Sequence, residues 1–324
     1  MNIPFKFQVV RLLLALFACS CWPMAWAQDF PAKPIRVIFP GGAGGAGDVL
    51  ARIVGEKFQE RTAQPFVVEA RPGGNALIGM NAVLQARPDG YTLLSNSSVY
   101  SGGKFLQKAF TVDVVNDFEH VIQVVSIPSY LVVRPDSPFK SVSELIAFAK
   151  ANPRKLNVGA SVGLNMDSAA LFHSMGMEVT QVPFPGGNQL PPALLGGNLD
   201  MIVASMAPVK GLVADGRMRL LAVIAPARSA LTPNAPAVTE TVPGAVTLQI
   251  HNGFSAPKGT PRAVIDKLNT EINAVLRVPE VRTALVGALG GDVKGGTPEE
   301  WRNTQVEVLE HYAAAAKLLK LVPQ

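Results

Sequence analysis

The chain has only two cysteines in 324 residues, and both, Cys19 and Cys21, fall within the first 27. Once that leader is removed, the remainder has no disulfide, no thiol nucleophile and no cysteine metal site. Charge is also scarce, since Asp, Glu, Lys and Arg together make up 16% of the residues and the formal net charge is +5. Losing Lys6 and Arg11 with the leader lowers that charge to +3. No Lys/Arg run accompanies the small excess, so nucleic acid is not an expected partner. Beyond the leader no apolar stretch is long enough to span a membrane. No His/Asp/Glu cluster has metal-ligand spacing, no paired carboxylates suit acid–base work, and there is neither an internal repeat nor a low-complexity tail. Neither a metal nor a cofactor is expected.

What is present begins with an export pattern. Lys6 and Arg11 supply positive charge, residues 12–18 are a short apolar run, and Ala25-Trp26-Ala27 has the small-x-small form that signal peptidase accepts. The run is shorter than the roughly 20 residues of a spanning helix. The expectation is cleavage after Ala27, leaving a chain of 297 residues that starts at Gln28 and resides in the periplasm. A lipid anchor on Cys19 is the alternative, because Leu16-Phe17-Ala18-Cys19 loosely resembles a lipoprotein box. A disulfide-free chain of this length is held by its core, which is large enough for the task, and the length suggests two domains.

Apolar runs alternate with helical patterns. Residues 35–39, 66–69 and 92–95 read as strands, separated by helices at 48–61 and 78–86. In the first helix Val49, Leu50, Ile53, Val54 and Phe58 share one face. This β-α-β-α-β order implies parallel pairing in an open α/β sheet. Further strands are expected at 130–134, 156–159, 179–184, 201–204, 220–224 and around Phe254. Ser141 and Glu144 form a capping box that opens a helix. Three helices close the chain, with cap-plus-proline starts at Thr260-Pro261 and Thr297-Pro298, the latter completed by Glu300. The economical arrangement puts residues 28–126 plus 249–324 in one domain and 127–248 in the other. Two strands cross between them, and a cleft lies outside the carboxyl ends of the strands.

Three motifs could carry chemistry. Gly42-Ala43-Gly44-Gly45-Ala46-Gly47 matches the dinucleotide pattern, with Glu69 at the end of the next strand. Asp48 at the helix start would repel a pyrophosphate, so a smaller anion cradle is favoured, with a turn built only for tightness as the alternative. Gly159-Ala160-Ser161-Val162-Gly163 has the form of a hydrolase nucleophile elbow. His251 or His311, with Asp200 or Asp215, could complete a triad, but no sequence feature puts either histidine beside Ser161, and His311 reads as solvated on a helix. Arg71-Pro72-Gly73-Gly74 and Pro185-Gly186-Gly187 are further glycine-rich turns at strand ends.

Taken in order, these residues resemble the substrate-binding receptors of tripartite tricarboxylate transporters, the Bug proteins. The resemblance rests on Lys33-Pro34-Ile35-Arg36-Val37, Gly44-Gly45-Ala46-Gly47-Asp48, Pro88-Asp89-Gly90-Tyr91-Thr92 and Val182-Pro183-Phe184-Pro185-Gly186-Gly187. It continues through Leu194-Leu195-Gly196-Gly197-Asn198-Leu199-Asp200, Ala256-Pro257-Lys258-Gly259-Thr260-Pro261 and Gly295-Gly296-Thr297-Pro298-Glu299-Glu300. It implies an α/β, two-lobed periplasmic-binding-protein (venus flytrap) fold, with two open sheets joined by crossing strands. The implied function is capture of a small carboxylate-bearing metabolite, without chemistry, and its delivery to a membrane permease. A sensor kinase as recipient, or a secreted Ser161 hydrolase, are the alternatives. A monomer is expected.

The candidate ligand-binding residues are Gly41, Gly42, Gly44, Gly45, Gly74, Ser97, Ser161, Gly163, Asn165, Asp167, Gly186, Gly187 and Ser205, with Asp48 capping its helix. A bulky residue at Gly45 is expected to obstruct binding without unfolding the protein. The chain departs from the family inside the pocket. Where the family has Pro-Phe-Pro-Pro-Gly-Gly, this chain has Gly41, Gly42 and Ala43 after the first proline; where it has Gly-Ser-x-Ser-His, this chain has Gly163-Leu164-Asn165-Met166-Asp167. Asp167 therefore either caps a helix or faces the cleft, where it would favour an amine such as an amino acid.

Overall fold

The computed structural model describes residues 30–161, 164–184 and 186–323. The leader with its Ala27 cleavage site and Cys19, as well as Gly163, lie outside the described residues. The first run, Ile35–Phe39, is rich in β-branched residues and is almost wholly buried as strand β1. Helix α1, Ala46–Thr62, buries Leu50, Val54 and Phe58 and returns the chain to β2, Phe66–Ala70. Helix α2, Leu77–Leu84, leads to β3, Thr92–Ser97. Strand β1 pairs in parallel with both neighbours, Ile35 facing Phe66 and Arg36 facing Thr92, as the alternating order requires.

The next strand departs from expectation. Only 130–134 reads as a strand in the sequence, yet β4 runs unbroken over Phe118–Val133, 16 residues. Pro128 and the polar His120, Gln123 and Ser126 disguise its first part. Pro128 is tolerated because β4 changes neighbours there. Up to Pro128 it pairs antiparallel with β9, Gln249–Pro257, and from Ser129 onward with β7, Met201–Ser205.

After β4, Ser141 accepts the Glu144 N–H at 3.2 Å and starts α3, Val142–Ala151. Strand β5, Asn157–Ser161, leads through α4, Asn165–Ser174, to β6, Thr180–Phe184, and both β6 and β7 pair in parallel with β5. Strand β8, Arg219–Val223, pairs with β4. The strand order is β2-β1-β3-β9-β4-β7-β5-β6, so two open groups of strands are joined through β9 and β4 into one continuous path.

Three helices close the chain: α5, Arg262–Leu276; α6, Pro279–Leu289; and α7, Pro298–Leu318. Short strand β10, Asp292–Val293, pairs with β4 before α7. Thr297 and Glu300 form the expected reciprocal capping box, at 3.1 and 2.7 Å. Thr260 does not cap: its hydroxyl donates to Pro257 O at 2.8 Å, and Pro261 is the residue that precedes α5. One apolar cluster, with Ile38, Met80, Leu94 and Phe118, packs on the β1–β3 side. Another, with Leu131, Val158, Leu171 and Val203, packs on the β5–β7 side. A third joins α4 to α7 through Met166 and Ala170 against Tyr312, Ala315 and Ala316.

Candidate functional site

Register fixes where the candidate residues stand. Phe39 is level with Ala70 and Ile38 with Leu94, so Gly41, Gly74 and Ser97 share the carboxyl edge of the first parallel group. Ser161 is level with Phe184 and Ala160 with Val203, so Ser161, Gly186, Gly187 and Ser205 share the carboxyl edge of the second. Ligand sites in open α/β sheets form at such edges.

The loop between β1 and α1 is wound around the Phe39 ring. A Cβ at Gly41, Gly45 or Gly47 would lie 2.4, 2.8 or 2.6 Å from that ring, so these glycines are needed for packing. At Gly42 a Cβ would meet nothing within 4 Å. Asp48 is not a cap of its own helix. Its Oδ2 accepts the Gly44 N–H at 2.9 Å and its Oδ1 pairs with Arg52 at 3.0 Å, while Gly45 is the residue at the N-cap. Burial pulls the Asp48 carboxyl upward, but the Gly44 N–H and Arg52 outweigh it and hold the carboxyl below its ordinary range. The Gly45 N–H donates to Gly42 O at 3.1 Å. Two of the four expected donors are thus engaged within the loop. The N–H groups of Gly41 and Gly42 have no partner among the described residues, and those of Ala46 and Gly47 in the first turn have none within the helix.

The loop after β2 is strained. Gly73 and Gly74 have φ of 122° and 56°, and two non-glycine residues, Asn75 and Ala76, follow at 49° and 77°. Such backbone persists where its surroundings impose it, often beside a binding site.

Asp167 neither caps α4 nor stands free. It is 5% exposed, accepts the Tyr312 hydroxyl at 2.7 Å and lies 3.3 Å from His311 Nε2. Burial and the Asp167 charge raise the Tyr312 hydroxyl well above its ordinary range, so it stays a neutral donor. His311, read from the sequence as solvated, has two-thirds of its side chain covered. The signal for this contact was spacing: Val308, His311, Tyr312 and Ala315 share one face of α7. Asn165, two residues earlier at the start of α4, keeps a buried Oδ1 without a partner among the described residues.

Two cavities flank Tyr312. One, of about 170 Å³, is lined by Ser98, Asp167, His251 and His311. The other, of about 190 Å³, has Pro40, Asn75 and Met166 in its wall, which brings the start of α4 against the loops after β1 and β2.

The other motifs dissolve on inspection. Glu69 is bound to Arg36 at 3.0 Å and Arg71 at 2.6 Å, which occupies the carboxylate that a dinucleotide ribose would require. Asp200 accepts the Asn157 N–H at 2.7 Å. His251 Nδ1 accepts from Gln123 and Ser126, both at 2.9 Å, and His311 faces Asp167; neither bonds Ser161 among the described residues. No triad is assembled among the described residues.

Residues 50–296 match the model of the tripartite tricarboxylate transporter family receptor. The chain belongs to this family. A UPF0065 protein from the tcbD-tcbE intergenic region of Pseudomonas sp. (strain P51) is 34% identical over 83% of this chain and 81% of its own. Among solved structures, an R. palustris protein with adipate superposes with a TM-score of 0.82 at 26% identity, covering 91% of this chain and all of that one. The periplasmic binding protein BugD gives 0.78 at 26% identity, with the same coverage. The periplasmic-binding-protein fold is therefore that of this chain, and the family to which it belongs is one of receptors, not enzymes.

Proposed function

We propose that this chain is exported by cleavage after Ala27 and captures a small carboxylate in the periplasm for delivery to a tripartite-type membrane permease. The observation that carries the reading is the pair of N–H groups at Gly41 and Gly42, unpartnered among the described residues and ahead of the positive end of α1, in a member of a receptor family. Asn165 Oδ1 is an acceptor for a ligand hydroxyl or a bridging water. The adipate of the R. palustris neighbour supports a carboxylate ligand. One Asp167 oxygen is taken by the Tyr312 hydroxyl, and the other lies 3.3 Å from His311 in the wall of the cavity that Ser98 and His251 also line. Residues 28–126 with 249–324 would form one lobe and 127–248 the other, with β4 and β9 as the strands about which they close. Native mass spectrometry of protein purified from the periplasm tests the reading. The expected species starts at Gln28 and retains a carboxylated metabolite; a diacylated Cys19, or a retained amine without a carboxylate, would overturn it.

A further inference from the structure

The cavity of about 190 Å³ beside Tyr312 differs from the polar loops next to it. Tyr100, Leu106, Phe110 and Met166 form much of its wall, and no residue lining it carries a charge. Its two hydroxyl-bearing residues add little polarity. Tyr312 donates to Asp167, and burial raises the Tyr100 hydroxyl far above its ordinary range, keeping it neutral. Asn75 contributes the remaining side-chain amide, from the strained segment at the rim. Pro40 and Asn75 immediately adjoin Gly41 and Gly74, so the cavity opens beside the glycine-rich loops. Met166 adds an adaptable apolar side chain to that wall.

We propose that this cavity is an apolar subsite, and that the preferred ligand is a monocarboxylate whose body is a single ring or a short alkyl chain. The proposal rests on the receptor reading above and narrows it. A cavity of about 150 Å³ lined by aliphatic and aromatic side chains is enough to hold benzene, so this one has room for a ring or for roughly five or six methylenes. A second carboxylate driven into it would lose its hydration and find only the Asn75 amide and the neutral Tyr100 hydroxyl in return, with no cation to balance its charge. Compact polycarboxylates are thereby disfavoured.

The test is calorimetric titration of the mature protein with benzoate, hexanoate, acetate, malate and citrate, for wild type and Leu106→Trp. Leu106 is 36% exposed at the rim, so the larger ring can fill the cavity from its edge. Benzoate or hexanoate should bind at least about tenfold more tightly than acetate or malate, the scale on which apolar pockets discriminate. Leu106→Trp should erase that advantage and leave acetate unchanged. If Leu106→Trp does not fold, the wild-type order of affinities decides alone. Malate or citrate binding more tightly than benzoate and hexanoate, or an advantage that survives Leu106→Trp, would overturn the subsite with the receptor reading intact. Failure to bind any carboxylate would overturn the receptor reading itself, and the subsite with it.

Discussion

Tyr312 donates its hydroxyl to Asp167 across 2.7 Å, tying α7 to the start of α4 over 145 residues of chain. The bond gives the Asp167 carboxylate a donor inside the fold. A buried carboxylate needs compensation, and here the neutral Tyr312 phenol donates to one oxygen while the His311 ring lies 3.3 Å from the other. Met166, beside it in sequence, is left to face the apolar cavity.

Tyr312→Phe should therefore destabilise the protein by about 1.5–3 kcal/mol, the range for a hydrogen bond to a charged group. Asp167→Asn, which keeps an acceptor for Tyr312, should cost less. Urea unfolding reads both, as a lower midpoint at unchanged slope. A Tyr312→Phe variant as stable as wild type would show that the carboxylate finds another donor.

How much of this was legible in the sequence differs by feature. The parallel β-α-β units were plain because Ile35, Val37, Ile38 and their neighbours alternate with an amphipathic 48–61 stretch, a local pattern. Strand β4 was not, because its polar His120, Gln123 and Ser126 are paid for by partners distant in sequence: Ser255 near His120, and His251 beside Gln123 and Ser126. The glycine loop was found, but the second demand on it was not: a Cβ at Gly41, Gly45 or Gly47 would strike the Phe39 ring, and side-chain direction is not a property of spacing. Asp167 and Tyr312 meet only through tertiary packing, so a helix cap was the better local guess for the acid.

The two kinds of glycine in the loop should respond differently. Gly45→Val places a side chain against the Phe39 ring and should cost about 1–3 kcal/mol by overpacking. Gly42→Val meets open space and should stay within about 0.5 kcal/mol of wild type. It should weaken carboxylate binding nonetheless, by covering the Gly41 and Gly42 amides. Thermal shift with and without ligand separates the effects, since a ligand stabilises only what it binds. Undiminished ligand shifts in Gly42→Val would remove these amides from the site.

Asp48→Ala should loosen the same loop from within, by freeing the Gly44 N–H and unpairing Arg52, at a cost of about 1–3 kcal/mol. The wild-type carboxyl titrates lower in the folded protein than in the unfolded chain. Its contribution is thus present above the unfolded value and lost as pH falls through the folded one. The stability gap between wild type and Asp48→Ala should narrow in acid. A gap that holds constant down to pH values of about 3 would assign the loss to packing rather than charge.

His251 sets a second acid response, centred on the strands that join the two halves of the sheet. Gln123 Nε2, which can only donate, lies 2.8 Å from Ser126 Oγ and 2.9 Å from His251 Nδ1. Nδ1 of His251 is therefore an acceptor, and a proton placed there would meet two donors. Burial, followed by repulsion from Lys294, depresses the imidazole to about 4 from an ordinary 6.5. The unfolded chain takes up the proton first as pH falls, so stability is complete above about 6.5, declines between 6.5 and 4, and falls no further on this account below 4. The full penalty is on the order of 3 kcal/mol. His251→Asn keeps an acceptor oxygen near Nδ1 and cannot take up a proton, so its stability should fall less across this interval. Urea midpoints measured at pH values from about 7 to 4 compare the two. Parallel curves, or an imidazole that titrates near 6.5 by NMR in the folded protein, would rule out the buried acceptor.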